Sequence, residues 1–254
     1  MFAALILAAA FGVQDPEPKK PENTPPTPPQ QQVAAEDWDD ARTKAELKDF
    51  DKGMKSRTLK DKLAAIARLD TGRNDKLVAP LANVVLRERA ITVRKAAAEA
   101  LAHQPAKQCK PQILRLLGDA RMNDAPEVQG TLVESLARVG YECKRDWEAI
   151  GRLFEADYGP ERVALQRAIL TIVKDNRELE ALDMLVRNLG EPVPENPDDA
   201  GNPPAEYWEK RWKSWQVWRG DVKETLLTLT GQRFSTAKEA KDWIAANRSK
   251  LEKR

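Results

Sequence analysis

The sequence predicts an all-α fold, and three observations support this prediction. Beyond residue 36, apolar residues recur at positions i, i+3, i+4 and i+7 in one segment after another, which is the spacing of an amphipathic helix. Charged residues make up 32% of the chain and the 12 glycines are spread singly, a composition that favours exposed helices over tightly turned sheets. No β-branched run is bounded by turn signals, so we expect almost no strand.

One apolar helix face returns along residues 36–190 at successive shifts of 34, 35 and 36 positions. Its four copies are Leu59, Leu63, Ile66 and Ala67; Val93, Ala97, Ala100 and Leu101; Val128, Leu132, Ser135 and Leu136; and Ala164, Ala168 and Ile172. Further apolar segments lie at residues 77–86, 113–117, 150–154 and 182–189. Each repeat is therefore predicted to be a helical hairpin. Since one hairpin cannot bury its apolar stripe alone, we expect four to five of them to stack into a right-handed superhelical solenoid.

Prolines and glycines mark where these helices begin and end. Pro126 and Pro160 are each followed by glutamate, a pair that suits the first helical turn because proline needs no N–H partner there and a carboxylate favours the helix dipole. Helix ends are predicted at the glycines Gly72, Gly118, Gly140 and Gly190.

Three stretches of the repeat resemble a known family. ITVRKAAAEAL (91–101), preceded by KLVAPLANVVL, is similar to a HEAT or HEAT-like (PBS-lyase-type) repeat. PEVQGTLVESLARVG (126–140) resembles the same motif, and PERVALQRAIL from Pro160 resembles a degenerate copy shifted by about one residue. The resemblance covers roughly residues 56–190 and implies a fold rather than a function. Gln129 stands where the preceding copy has Arg94, so an arginine ladder between repeats is broken there.

The N-terminus predicts export. Residues 1–13, MFAALILAAAFGV, form an apolar stretch that is too short to span a bilayer. It has the character of a signal peptide, with cleavage after Ala10 or Gly12. The segment has no basic residue, and no cysteine follows it to carry a lipid, so a disordered apolar N-terminus on a cytosolic protein is the alternative. Residues 14–35 are proline-rich, with seven prolines between Pro16 and Pro29, and are predicted to be a disordered linker, either a spacer or a simple tail.

The C-terminal part is predicted to be a tryptophan-rich helical cap, residues 205–254, after a proline-rich loop at 191–204. It resembles the terminal segment of exported bacterial HEAT-repeat proteins. Gly231 is expected to end its long helix, and Thr236 with Glu239 to form the capping box of a last helix that bears Trp243 and Ile244.

The long helix carries a stripe that is either a core seam or a binding surface. The stripe consists of Trp208, Trp212, Trp215, Val222 and Leu226. Trp218 lies off this stripe and is the best candidate for an exposed contact, with Tyr207 next.

Polar and sulfur-containing residues leave further alternatives open. Polar positions on the repeat helices either line a concave partner-binding face or are simply solvated; they are Arg94, Glu134, Arg138, Arg162 and Gln166. Cys109 and Cys143 are 34 positions apart, which places them at equivalent points of neighbouring hairpins. They form either a disulfide, which an oxidising compartment favours, or two semi-buried thiols, because stacked helices stand ~10 Å apart.

Little in the sequence supports catalysis or a cofactor. The single histidine, His103, has no carboxylate or cysteine at ligand spacing and is expected to be an ordinary helix-terminal residue. The motifs GxSxG and GxGxxG and a phosphate-binding loop are absent. The acidic stretch at 36–41 is expected to be a helix N-terminus, and it lacks, like Asp198 and Asp199, the alternating oxygen ligands of a calcium loop. The formal charge of +2 selects neither nucleic acid nor anionic lipid.

The sequence therefore predicts a non-catalytic protein-interaction scaffold of the periplasm or cell envelope, without a cofactor. It would bind a protein partner along a helical-repeat surface and touch a membrane only through an uncleaved signal segment. One alternative follows from the resemblance, because HEAT-like repeats occur in bilin lyase subunits: a cofactor-handling subunit, which predicts visible absorbance with bilin. The other is an envelope polysaccharide-binding module, which predicts quenching of tryptophan fluorescence by glycans.

Overall fold

The computed structural model describes residues 35–194, 196 and 198–253. The predicted signal peptide, 1–13, and all but the last residue of the predicted linker, 14–35, lie outside the described residues. The described part is all-helical, and its eleven α-helices are α1 (Asp40–Met54), α2 (Leu59–Leu69), α3 (Asp75–Arg87), α4 (Ile91–Leu101), α5 (Ala106–Leu117), α6 (Pro126–Gly140), α7 (Trp147–Phe154), α8 (Val163–Asn176), α9 (Leu182–Arg187), α10 (Ala205–Thr230) and α11 (Ala237–Leu251). No helix among them combines the length and apolar character that crossing a membrane requires.

Strand structure in the described part is limited to one short parallel pair, so the prediction of almost no strand is confirmed there. β1 (Glu36–Asp37) pairs with β2 (Gly72–Arg73). The acidic stretch does lead into a helix as predicted, because Asp39 caps α1 by accepting a hydrogen bond from the Arg42 N–H at 2.7 Å. Its first residues, however, are extended rather than helical.

Consecutive helices pack as pairs, and the pairs contact one another in order. α1 packs on α2, α3 on α4, α5 on α6, α7 on α8 and α9 on α10. The even-numbered helices from α2 to α10 also contact one another in succession, and α11 packs against α9 and α10. The apolar faces of neighbouring helices meet in one contiguous hydrophobic core.

The predicted faces of the two middle repeats are buried as expected, and the outer two need correction. The residues of the copies that begin at Val93 and Val128 are all buried. In the first copy Leu59, at the very start of α2, is 52% exposed and Ala67 is also exposed, so only Ile66 of that face is fully buried. In the last copy Ala164 is exposed and the face begins at Leu165. Pro160 starts a 3₁₀ turn, Pro160–Arg162, and α8 itself begins only at Val163.

Several helix boundaries follow the sequence signals. Pro126 occupies the first turn of α6, and Gly231 ends α10 in the left-handed region at φ 75°. Thr236 caps α11 by accepting from the Glu239 N–H at 3.1 Å. The glutamate carboxylate accepts from the N–H of Ser235 at 2.9 Å, one residue before the cap itself. Gly72 and Gly190 were wrong as helix ends, since α2 ends at Leu69 and α9 at Arg187.

Candidate partner-binding surface

Three polar residues that the sequence placed as solvated or partner-facing are buried in the structure. Arg94 is 8% exposed, Arg162 5% and Gln166 0%. Arg94 Nε donates to the Val85 carbonyl at 2.6 Å, Arg162 Nη2 to the Leu153 carbonyl at 3.2 Å, and Gln166 Nε2 to the Phe154 carbonyl at 3.0 Å. The prediction that these residues bind a partner from an open surface is therefore corrected.

The physical reason lies in the carbonyl groups at the ends of the first helix of each pair. The last carbonyls of a helix have no partner within that helix, and here they are buried against the second helix of the pair. A long polar side chain near the start of that second helix reaches them, which satisfies both groups away from water. Burial also lowers the pKa of the Arg94 guanidinium. Gln129 holds the equivalent position in α6 and is fully buried, yet neither of its amide atoms has a partner among the described residues.

Trp218 is not an exposed contact; that prediction was wrong. Its exposed fraction is 0%, its Nε1 donates to Gln166 Oε1 at 3.0 Å, and its ring centroid lies 5.1 Å from that of Phe154. The core face of α10 runs through Trp215, Trp218, Val222, Leu226 and Leu229, all of which are buried. Trp218 thus joins the core-facing seam on which α10 packs against α8.

Cys109 and Cys143 are both free thiols and do not form a disulfide with each other. Cys109 is fully buried and its Sγ lies 3.5 Å from the Gln104 carbonyl. Cys143 is exposed and its Sγ lies 3.1 Å from the Asn176 carbonyl. Burial raises the pKa of both thiols.

His103 has an acidic partner that its sequence neighbourhood does not reveal. Its Nδ1 lies 2.6 Å from Asp70 Oδ1, which joins the end of α4 to the end of α2. Within the described ranges, no group of three or more His, Cys, Asp or Glu residues is placed to hold a metal ion. The pair is therefore a contact between neighbouring helical pairs.

The predicted contact residue Tyr207 remains partly exposed and belongs to a compact aromatic cluster. The cluster consists of Tyr158, from the loop between α7 and α8, with Tyr207, Trp208 and Arg211 from the first two turns of α10. The Tyr207 ring meets the rings of Tyr158 and Trp208 edge-on, at centroid distances of 5.6 and 5.4 Å. We refer to these four residues as the aromatic–arginine cluster.

Arg211 lies between two rings of this cluster. Its Cζ lies over the Tyr158 ring at 5.4 Å and over the Trp208 ring at 5.6 Å, within the range of cation–π attraction. Tyr158 is 2% exposed, and burial raises the pKa of its hydroxyl although the Arg211 charge opposes this shift. Trp208 Nε1 and Arg211 Nε are buried and have no hydrogen-bond partner among the described residues.

The tryptophan stripe predicted from sequence divides among three environments. Trp215 is buried and its Nε1 donates to the Asn188 carbonyl at 3.2 Å. Trp208 is half-buried in the aromatic–arginine cluster. Trp212 is 37% exposed and its Nε1 donates to Glu191 Oε1 at 2.6 Å. The stripe is therefore a core seam at Trp215 and a partly open surface beside it.

The remaining predicted positions, Arg138 and Glu134, are exposed on α6. In the part of the chain that the structure describes, neither forms an ion pair or lies against the aromatic–arginine cluster. Sequence reasoning missed Arg211 and Tyr158. A usable signal existed for Arg211, because it follows Tyr207 by four positions and Trp208 by three, the spacings at which side chains meet on a helix.

A shallow cavity of about 220 Å³ lies between α8 and α10. Ion pairs cross it, with Arg167 Nε 2.9 Å from Asp221 Oδ2 and Lys174 Nζ 3.2 Å from Glu224 Oε1. These four charged side chains line the cavity and pair across it, so its charged groups already have partners.

Comparison of the chain with protein-family models, with curated proteins and with solved structures finds no match in any of the three.

Proposed function

We propose that this chain is a non-catalytic protein-interaction scaffold of the periplasm or cell envelope. In this proposal its helical pairs stack into a HEAT-like solenoid, and the export signal at residues 1–13 is cleaved off. The ordered contacts among α2, α4, α6, α8 and α10 support the solenoid. Such an array serves as a rigid frame because each pair is fixed by its neighbours.

The observation that carries the binding role is the composition and state of the aromatic–arginine cluster. Tyrosine, tryptophan and arginine are the residue types that dominate binding energy at protein interfaces. Here they are gathered where α10 begins, with Tyr207, Trp208 and Arg211 partly exposed over the buried Tyr158, and Trp212 beside them is 37% exposed. Binding a partner would remove this apolar area from water at little entropic cost, because the rings already pack on one another.

The polysaccharide alternative is weakened by the same geometry. A sugar ring stacks on an open aromatic face, but Trp218 is buried and Arg211 lies over the rings of Tyr158 and Trp208. If the protein does bind a polysaccharide, Trp212 is the ring on which a sugar would stack.

The test is affinity capture of the tagged protein from the envelope of its host after mild crosslinking. We expect one set of proteins to be captured by the wild type and lost in Tyr207→Ala and in Trp212→Ala. Val217→Ala is the matched control, because Val217 is 48% exposed on the same helix but outside the cluster. Equal capture by all four proteins would show that Tyr207 and Trp212 do not belong to the partner-binding surface.

A separate experiment tests export. The N-terminus of the mature protein is sequenced, and we expect cleavage after Ala10 or Gly12.

A further inference from the structure

We propose that Arg211 is a preorganised binding site for a carboxylate that a partner protein presents beside an apolar side chain. This inference rests on the proposed scaffold function and names the chemistry of the partner. The observations that carry it are the position of the guanidinium between two aromatic rings and its lack of an acceptor in the described part of the chain.

The rings hold the guanidinium in place. An arginine side chain normally loses rotamer freedom when it forms a hydrogen bond, and packing in advance removes much of that cost. Since the Tyr158 and Trp208 rings lie within 5.4 and 5.6 Å of Cζ, they restrict the movement of the guanidinium, and its solvent-reaching N–H groups remain free to meet a partner. An arginine edge matches the two oxygens of a carboxylate in a bidentate arrangement.

The site is short of negative charge at hydrogen-bonding distance. No carboxylate among the described residues accepts from Arg211, and its Nε is buried without a partner. The Nη groups also have no partner there, but they are not among the buried unpartnered atoms and so reach solvent. The nearby Glu155 is occupied by Arg187 Nη2 at 2.7 Å and by Asn188 Nδ2 at 2.8 Å. Asp157 accepts from the N–H of its neighbour Tyr158 at 2.8 Å. A partner carboxylate would supply an acceptor for the Nη groups that reach solvent.

The surroundings favour a protein segment over a sugar acid or a free phosphate. Tyr207 and Trp212 offer partly exposed rings on the same two turns of α10, so an apolar side chain next to the carboxylate would gain contact area. A bare phosphate has no such apolar group, and a uronic acid would find the ring faces of Tyr158 and Trp208 covered. We therefore commit to an acidic residue flanked by apolar ones.

The experiment is a titration of the purified protein, followed through the indole N–H signals in nitrogen-15 NMR spectra. The Trp208 signal is identified by its loss in Trp208→Phe. The probe is the blocked peptide acetyl-Leu-Asp-Leu-amide, and acetyl-Leu-Asn-Leu-amide is its uncharged match. We expect the acidic peptide to shift the Trp208 signal and the neutral peptide to bind at least about tenfold more weakly, since a hydrogen bond between charged groups is lost.

Arg211→Lys keeps the charge but removes the planar fork, and we expect it to weaken binding of the acidic peptide by about tenfold. Arg219→Lys is the matched control, because Arg219 lies over the Trp215 ring at 5.1 Å on the same helix, and it should bind as the wild type does. If the two peptides bind equally well, or if Arg211→Lys binds the acidic peptide as tightly as the wild type does, Arg211 is not a carboxylate-binding site.

Glucuronate and inorganic phosphate are titrated in parallel, and tighter binding of either would overturn the protein carboxylate as the ligand. Thermal unfolding of each variant shows whether a loss of binding is only a loss of folding. If Arg211→Lys unfolds, it is replaced by Arg211→Gln, which must also fail to bind the acidic peptide for the proposal to stand.

The envelope capture experiment separates this proposal from the scaffold function. If Arg211→Lys captures the same envelope proteins as the wild type, the carboxylate site is wrong while the scaffold function stands. If the wild type captures nothing, the scaffold function itself is wrong.

Discussion

Trp38, just before the first helical pair, and Trp218, on α10 of the last pair, are both buried but are held by different means. At the N-terminal end Trp38 is 5% exposed and is held mainly through its backbone, which donates to the Arg73 carbonyl at 3.1 Å and accepts from Asn74 Nδ2 at 2.9 Å. At the C-terminal end Trp218 is held through its side chain, which donates to Gln166 Oε1 at 3.0 Å.

This difference indicates which kind of substitution should destabilise each end. The indole of Trp38 lies against Gly72, where a Cβ atom would overlap the ring, and its Nε1 has no partner among the described residues. Shape therefore governs the N-terminal contact, whereas hydrogen bonding and shape together govern the C-terminal one. Four matched pairs of variants follow in order of decreasing expected effect; the first three separate these two contributions, and the fourth compares ion pairs at the two ends.

Gly72→Ala should have the largest effect. The added methyl group would displace the Trp38 ring from its site, so the protein loses most of the stabilisation of a buried tryptophan, about 3 kcal/mol. Urea unfolding measures the loss, and a red shift of tryptophan emission reports the exposed ring. Gly220→Ala is the control, because Gly220 lies within α10 with nothing within 4 Å of its added Cβ. That variant should gain up to about 1 kcal/mol from helix propensity, and an equal loss in both variants would contradict this account.

Gln166→Leu and Gln129→Leu compare equivalent positions of neighbouring helical pairs. Gln166→Leu removes the partner of both Trp218 Nε1 and the Phe154 carbonyl, and leaving buried polar groups unpaired should cost about 2 kcal/mol. Gln129→Leu removes an amide that has no partner among the described residues, so it should be neutral or stabilising. Denaturant midpoints of the two variants and the wild type, measured side by side, show whether only Gln166→Leu is destabilised. A large loss in Gln129→Leu would show that this amide binds buried water instead.

This pair of glutamines also shows how far the sequence could predict the structure. The helices were predictable because their apolar period is a local property that each segment carries by itself. The burial of Arg94, Arg162 and Gln166 was not, because these residue types are usually solvated. Their acceptors are carbonyls of another helix, nine or twelve positions earlier in the chain.

The candidate surface was predicted at Tyr207, and Trp208 and Trp212 were predicted as part of a stripe that was either a core seam or a binding surface. The error over Trp218 arose because the helical wheel was oriented by Trp208, Trp212 and Trp215, although Trp212 is partly exposed. Contact with Phe154 on α7 turns the core face of α10 toward Trp218, and that contact joins residues far apart in sequence. Tyr158 could not be assigned to the surface for the same reason.

Trp218→Phe and Trp38→Phe isolate the hydrogen bond from the shape of the ring. Both variants lose a similar apolar volume, but only Trp218→Phe leaves an acceptor, Gln166 Oε1, without its donor. We expect Trp218→Phe to be more destabilising than Trp38→Phe by about 1 kcal/mol, as measured by urea unfolding. Equal losses would mean that the bond to Gln166 contributes no net stability, and the two ends would then differ in backbone pairing alone.

The smallest expected effect is a pH dependence that distinguishes the ion pairs at the two ends. Lys62 Nζ lies 2.7 Å from Glu88 Oε2, and the two side chains are 19% and 13% exposed. The hydrogen bond from Lys62 lowers the pKa of the Glu88 carboxyl below its ordinary value of 4.5. A lowered folded-state pKa stabilises the protein above the unfolded-state value, and that stability is lost as the pH falls through the folded-state value. Glu88→Gln should therefore cost about 1 kcal/mol at pH 7, and this cost should decline as the pH falls through the folded-state pKa of Glu88.

The matched variant at the C-terminal end is Asp221→Asn. Its partner Arg167 is 54% exposed and Asp221 39%, so solvent screens the pair and the loss at pH 7 should be only about 0.3 kcal/mol. Urea unfolding over a series of pH values from 7 into acid separates the two cases, because the difference between wild type and Glu88→Gln should shrink as Glu88 becomes protonated. A loss in Glu88→Gln that does not shrink on acidification would contradict the ion pair as its cause and would point instead to the hydrogen bonds that Glu88 Oε1 accepts from the N–H groups of Arg89 and Ala90.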